Sequence, residues 1–307
     1  MTMNKIVRNL LLLAAILIIV GCVMAGAGFA SGGMKSVSVT QNGLVVAGAN
    51  GDTTVEVNES YSKITDVVID VDLAELKLVE GSSFSLKGRY NPEVQDLSIT
   101  EKAGVLTISR KPLINWFGFN FGFKYPLSND LTLTYPKGTK FKSITITNNL
   151  GGLDVRNLEA KSLEVNLDAG SFDGSSILVD SLSMRLNLGG CTIKELTVAE
   201  RAEFRLDAGS LDLERSSVNN LSVFNNLGGF DYSGALTGNV RIDLDVGSLK
   251  MSLENKADEL SYTIDTDLGS IQVNGRKEGS PAHTTASSPT CTLDITTAMG
   301  GVTLNTR

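Results

Sequence analysis

Two nearly identical stretches, "IDLDVGS" and "IDTDLGS", carry Asp243 and Asp245 in one copy and Asp265 and Asp267 in the other. Within each, the carboxylates are two residues apart, so on a pleated strand they share a face. If the two stretches were adjacent rungs of a sheet, the four carboxylates would mark a rectangle of about 5 by 7 Å. Oxygen donors at that spacing suit a hard cation such as Ca²⁺. Asp243, Asp245, Asp265 and Asp267 are therefore the candidate metal ligands, the competing reading being a solvated acidic patch. Other chemistry is scarce. There is one histidine, His283, and the three cysteines Cys22, Cys191 and Cys291 are widely spaced. That set builds neither a zinc site nor a disulfide framework. No Ser-His-Asp set, phosphate loop or dinucleotide fingerprint is present. The expectation is a protein that is not an enzyme and needs no cofactor beyond the candidate Ca²⁺.

The other candidate contact group is "NWFGFNFGF", Asn115–Phe123. Phe117, Phe119, Phe121 and Phe123 share one parity, with Gly118, Asn120 and Gly122 on the other. With Trp116 they form a candidate aromatic patch. It either covers the apolar end of a stack of strands or meets a partner, sugar rings or a membrane interface.

The chain has 307 residues, a formal charge of -7 and only 6% aromatic residues. An acidic chain lacks the clustered basic face that nucleic acid needs. It could attract cations or cationic peptides.

The elements that would hold these groups are set by a repeat. Glycine corners begin at Gly151, Gly170, Gly189, Gly209, Gly228, Gly247, Gly269 and Gly300, at intervals of 19, 19, 20, 19, 19, 22 and 31 residues. A fixed period near 19 signals stacked coils, and it is too short for helix pairs. Positions five, three and one before each glycine, and two and four after it, are apolar in 35 of 40 cases; about 17 are expected at 42% hydrophobic content. The exceptions are Asn148, Gly174, Asn225, Thr266 and Thr297. Period-2 alternation of this kind predicts strands flanking each corner, with all five positions facing inward. Glycine is expected at the corner because a tight bend often needs positive φ. Successive coils would pair in parallel, and right-handed winding is the default.

The corners themselves alternate. Odd ones read Asn-Leu-Gly-Gly and even ones Asp-Ala-Gly-Ser or Asp-Val-Gly-Ser, so the full unit is a pair of coils. Asn149, Asp168, Asn187, Asp207, Asn226 and Asp245 would form an outer column in which each Asn separates two carboxylates. Large and small apolar residues one before the glycine are expected to interdigitate inside. Ser171, Ser210 and Ser248 are candidate donors to the Asp of the same corner. Asp154, Asp173, Asp212 and Asp231 form a second acidic column.

The fold class is thus all-β: a β-solenoid, a single-stranded parallel β-helix of about 19 residues per coil, with an N-terminal antiparallel β cap and one transmembrane helix before it. Residues 1–9 form a basic segment, cytoplasmic by its Lys5 and Arg8. Residues 10–33 form the anchor, within 26 uncharged residues from Asn9 to Met34. Residues 34–62 are a stalk or linker, 63–140 the cap, and 141–307 the solenoid. Three readings of the apolar run stay open: an uncleaved helix, with Gly28-x-x-x-Gly32 able to pack a second helix, a lipoprotein signal ending at "IVGC", with Cys22 carrying the lipid, and plain secretion. All three place the main domain outside the cytoplasm. "GRKEGSPAHTTASSPT" (Gly275–Thr290) reads as a mobile polar loop holding a solvated His283, and the last coil ends at Arg307 without a cap. Cys191 and Cys291 read as free, buried thiols.

The stretches "ITDVVIDVDLAELKLVEGSSFSLKG", "VLTISRK", "LTLTYPKGTKFKSITITNNLGGLDV", "LDAGSFDG" and "LDAGSLDLE" resemble a bacterial family of adhesin-like domains of unknown function, over residues 60–305. The resemblance implies an extracellular β-helical domain of the cell envelope, in some members linked to envelope stress responses, with no catalytic residues to carry over. The expected function is a membrane-anchored, single-pass, non-enzymatic surface module whose ligand is a protein, peptide or glycan. The alternative is an envelope-stress regulatory protein that binds cationic peptides or a membrane sensor partner.

Overall fold

The computed structural model describes the backbone of residues 37–40 and 43–46, and residues 54–90, 92, 96–110 and 129–307 in full. The expected anchor at 10–33, Cys22 and the aromatic patch Trp116, Phe117, Phe119, Phe121 and Phe123 lie outside the described residues. Among those described, no helix is long and apolar enough to cross a membrane.

The chain divides into two units, Met1–Thr53 with Leu113–Leu127, and Thr54–Pro112 with Ser128–Arg307. In the first, β1 (Val37–Thr40) and β2 (Gly43–Val46) make an antiparallel hairpin. The second is all-β. Its strands are β3 (Val55–Tyr61), β4 (Asp66–Leu73), β5 (Glu75–Gly81), β6 (Phe84–Tyr90), β7 (Leu97–Lys102), β8 (Val105–Arg110), β9 (Asp130–Pro136) and β10 (Lys140–Leu150). The long solenoid strands follow: β11 (Leu153–Ala169), β12 (Phe172–Leu188), β13 (Cys191–Ala208), β14 (Leu211–Asn219), β15 (Leu221–Leu227), β16 (Phe230–Val246) and β17 (Leu249–Leu253). The C-terminal end holds β18 (Leu260–Leu268), β19 (Ile271–Val273), β20 (Arg276–Glu278), β21 (Ala282–Thr284), β22 (Cys291–Met299) and β23 (Val302–Asn305).

The rungs pair in parallel and in register, as the repeat requires: Phe172 lies beside Leu153 and Cys191, and Leu182 beside Leu163 and Ala202. Alternate residues from every rung fill the hollow, so Val165, Met184, Phe204, Val223 and Ile242 are all buried. Each coil also bends where the sequence reading saw only a loose turn. Asn157, Ser176, Glu195 and Arg215 have φ between 49° and 62°. This left-handed residue switches the parity, so Val155 and Leu158 are both buried.

The corner glycines are required chiefly by close approach. A Cβ at each would meet the carbonyl oxygen of the neighbouring rung's corner at 1.6 to 2.2 Å. The positive φ expected of them holds at Gly151 (127°) but not at Gly209, Gly247 or Gly269, so backbone stacking is the shared reason. Three polar exceptions serve the same corner. Asn148 and Asn225 donate to the carbonyls of Ala74 (2.8 Å) and Gly209 (3.0 Å), and Thr266 to that of Gly300 (3.3 Å). Gly174 leaves room that Phe172 and Ile177 occupy.

Both ends depart from the expected order. Residues 66–81, 105–110 and 130–136 are further parallel rungs: β4 pairs with β8 and β10, and β5 with β9 and β11. The antiparallel cap reduces to β3, β6 and β7. The hairpins between these rungs hid the period. At the other end the last rung does not lie last. β22 and β23 insert between the rung of β16–β17 and the rung of β18–β19. The stretch expected to be a mobile loop holds β20 and β21, which pair antiparallel with β19 and β18 and cap that outermost rung. The C-terminus is tied in as well, the Arg307 amide donating to the Asn255 carbonyl (3.1 Å). Exposed solenoid ends need such covers, because an open rung offers unpaired backbone.

A candidate interaction edge

The residue just before each corner glycine was expected inside. It lies outside. Leu150, Leu188, Leu227, Val246, Met299 and Leu268 are between 41% and 65% exposed. They share the parity of the buried positions, but the chain turns at the next residue, so no facing wall remains to cover them. In-register pairing of Leu150 with Ala169, Leu188 with Ala208 and Leu227 with Val246 sets them in single file. The result is an apolar ridge along the glycine edge, with a large side chain at every second rung over the centre. Isolated exposed apolar residues need no explanation, but a contiguous file of them does.

Beside the ridge runs the column of Asn and Asp. Here the sequence reading holds. Asn149 donates to Asp72 (2.6 Å), Asn187 to Asp168 (2.9 Å) and Asn226 to Asp207 (3.1 Å). Each amide relieves the repulsion that stacked carboxylates would suffer. The serines of the even corners act through their backbone: the carbonyls of Ser171, Ser210 and Ser248 accept from Leu153, Cys191 and Phe230 at 2.9 Å.

The candidate cation site is not assembled. The inserted rung places Thr296 between Asp243 and Asp265, in register with both. Asp245 and Asp267 are likewise one rung further apart than the sequence order implies, about 10 Å instead of about 5 Å. Asp243 is engaged by Arg241 (2.9 Å) and Asp265 by the Ser280 hydroxyl (2.5 Å). Among the described residues, no group of three or more His, Cys, Asp or Glu side chains is placed to hold a metal ion.

The second acidic column forms in pairs. Asp154 lies beside Asp173 and Asp212 beside Asp231, with Thr192 between the pairs and Lys250 after them. Burial, then the charges of Glu214 and Asp231, raise the Asp212 pKa, against a smaller opposing effect of Lys194. On the broad face, the Arg205 guanidinium lies 4.4 Å from the centre of the Phe224 ring. His283 is exposed on β21. Cys191 and Cys291 are free and buried, and burial raises both thiol pKa values, that of Cys291 to about 12. A cavity of about 500 Å³ opens between the edges of β3 and β7, with Val57, Leu97 and Ile99 in its lining and Glu56 and Glu59 at hand.

Sequence reasoning recorded the residues of the ridge but gave them the wrong side. The signal that could have placed them was the outer Asn/Asp column one residue earlier and the glycine one residue later, which together mark the limit of the wall.

Comparison with known proteins gives a family. Residues 64–305 match Toastrack DUF4097. Solved structures to which the chain is similar include a putative adhesin from Bacteroides fragilis (14% identity, covering 82% of this chain and 96% of that one, TM-score 0.46). Another is a putative adhesin from Parabacteroides distasonis (11% identity, 83% and 98% covered, TM-score 0.41). A third is a putative lipid binding protein from the same species (13% identity, 83% and 98% covered, TM-score 0.37). No curated protein matches the sequence.

Proposed function

The chain belongs to the Toastrack DUF4097 family, and from that premise we propose that it is a non-enzymatic, adhesin-like binding module, anchored in the membrane by residues 10–33 with its solenoid outside the cell. The observation that carries this reading is the file of six large apolar side chains, 41–65% exposed, along one edge of a fully paired solenoid. A rigid scaffold that keeps such a file in water presents a linear contact surface. The basic start at Lys5 and Arg8 and the 26 uncharged residues after it support the anchor and its orientation. The non-enzymatic reading rests on the residue types at the edge: the ridge and its Asn/Asp column pair no nucleophile with a base.

The test uses cells that display the full-length chain, retained on immobilised bacterial envelopes. Leu188→Lys combined with Leu227→Lys should abolish retention without changing the melting temperature. Retention that survives the double substitution would remove the edge as the contact surface.

One observation favours a second reading, regulation through capture of cationic peptides. The pairs Asp154–Asp173 and Asp212–Asp231 stack like charges, and the Asp212 pKa is raised by burial and by the charges of Glu214 and Asp231. A salt-sensitive interaction with polylysine, weakened by Asp212→Asn with Asp231→Asn, would support it.

A further inference from the structure

The ridge alternates as well as projects. Over its central rungs it runs Leu150, Ala169, Leu188, Ala208, Leu227, Val246, and the column beside it runs Asn149, Asp168, Asn187, Asp207, Asn226, Asp245. The two alternations are locked together: Asn stands beside each Leu, and Asp beside each Ala or Val.

From this we infer that the edge binds a second copy of the same chain, packed antiparallel along the ridge. The inference rests on the reading of this edge as the contact surface, and it names the partner. Consider a two-fold axis in the plane of contact, perpendicular to the ridge, passing between the rungs of Leu188 and Ala208. It sets Leu188 of one copy against Ala208 of the other, Leu227 against Ala169, and Leu150 against Val246. Over these six rungs every large side chain then faces a smaller one, and at the margin Met299 faces Leu73. The same operation keeps the polar column on one side of the contact. Asn187 therefore meets Asp207 of the second copy, Asn226 meets Asp168, and Asn149 meets Asp245. An Asn amide has two N–H donors, and Asn187 and Asn226 each use one within their own chain. The other is available to the facing carboxylate.

The alternatives are penalised by the same residues. A slip of one rung sets Leu on Leu and Asp on Asp, with like charges opposed. A parallel arrangement carries the two polar columns to opposite sides and forms no Asn–Asp pairs. An added β-strand finds no backbone to pair with, because the corner amides already donate to the next rung, as Gly170 does to Leu188 (3.0 Å). An anionic lipid surface would meet a carboxylate at every second central rung.

The contact is small. Eight rungs at about 4.8 Å and a width of about 10 Å give roughly 400 Å² per copy, against about 800 Å² for a standard interface. The pairing is therefore weak for two isolated copies and gains strength where many copies share one surface.

Disulfide trapping tests the register in the full-length chain with Cys22→Ser. Chains carrying Ala169→Cys, mixed with chains carrying Leu227→Cys, should form a cross-linked dimer on mild oxidation, at least tenfold above Ala169→Cys chains alone. In the antiparallel pairing two copies of position 169 are three rungs apart, about 14 Å. Equal trapping in the two mixtures, or none in the first, would overturn the inference. Sedimentation of the unsubstituted chain gives a second readout: association that rises with concentration and is lost with Leu227→Lys supports the pairing. A monomer at every concentration up to the millimolar range sinks it. If retention on envelopes still depends on the edge while position 169 fails to trap position 227, the contact surface stands and self-pairing falls.

Discussion

A Cβ on Gly189 would lie 1.7 Å from the carbonyl oxygen of Gly170, one rung away. The rungs pair so closely at this edge that the backbone of one corner fills the space a side chain would need on the next. The relationship repeats along the glycine edge and fixes where the ridge and its polar column stand.

Gly189→Ala should therefore cost more than about 2 kcal/mol, since the clash is with backbone and the φ of 137° is unfavourable for alanine. Gly190→Ala should be near neutral, because its Cβ would meet only Ser210 atoms at 3.5 Å or more. Urea unfolding of the two variants measures the contrast, and equal costs would contradict the close-approach explanation.

Asn225 is buried, its amide donates to Gly209, and its Oδ1 has no partner. Leu167, Leu186 and Leu206 occupy the equivalent place in other rungs and are buried there. Asn225→Leu removes an orphaned acceptor and adds apolar burial, against the loss of one hydrogen bond. The expected result is a stabilisation of about 1 kcal/mol, read as a higher melting temperature.

The Asp212 pKa is raised, by burial first and the Glu214 and Asp231 charges second. A raised folded pKa favours the protonated form. Its favourable contribution is thus complete below the unfolded value, about 4, and is lost as pH rises through the folded value. Asp212→Asn should stabilise the protein at pH 7, and the gain should shrink as pH falls to 3.5. A gain independent of pH would point to packing instead.

The inserted rung makes a prediction about exchange. Amides of β22 are flanked by β16 and β18 on either side, so they should rank among the slowest to exchange. Those of the three-residue strands β20 and β21 should exchange faster. Rapid exchange over residues 291–299 would mean that the last rung is a frayed end after all.

Cys191 and Cys291 are buried and free. Neither should react with a thiol reagent at pH 8 until the protein is unfolded, because burial disfavours the thiolate. Labelling of either in the native state, located by peptide mapping, would contradict the packing.

By itself the sequence determined the parallel ladder, its period and the Asn/Asp column, because these follow from local rules that repeat: alternation along a strand and one short corner per coil. Leu153, Phe172 and Cys191 could be aligned by counting alone. Only the tertiary structure decided three things. It placed Leu188 outside, since whether a wall continues past a bend depends on a chain segment elsewhere. It separated Asp243 from Asp265, since Thr296 arrives from a stretch of sequence beyond both. It also turned residues 275–290 into a cap, since an edge strand is specified by the open rung it covers. Order in space at the two ends was set by long-range pairing, and no periodicity records that.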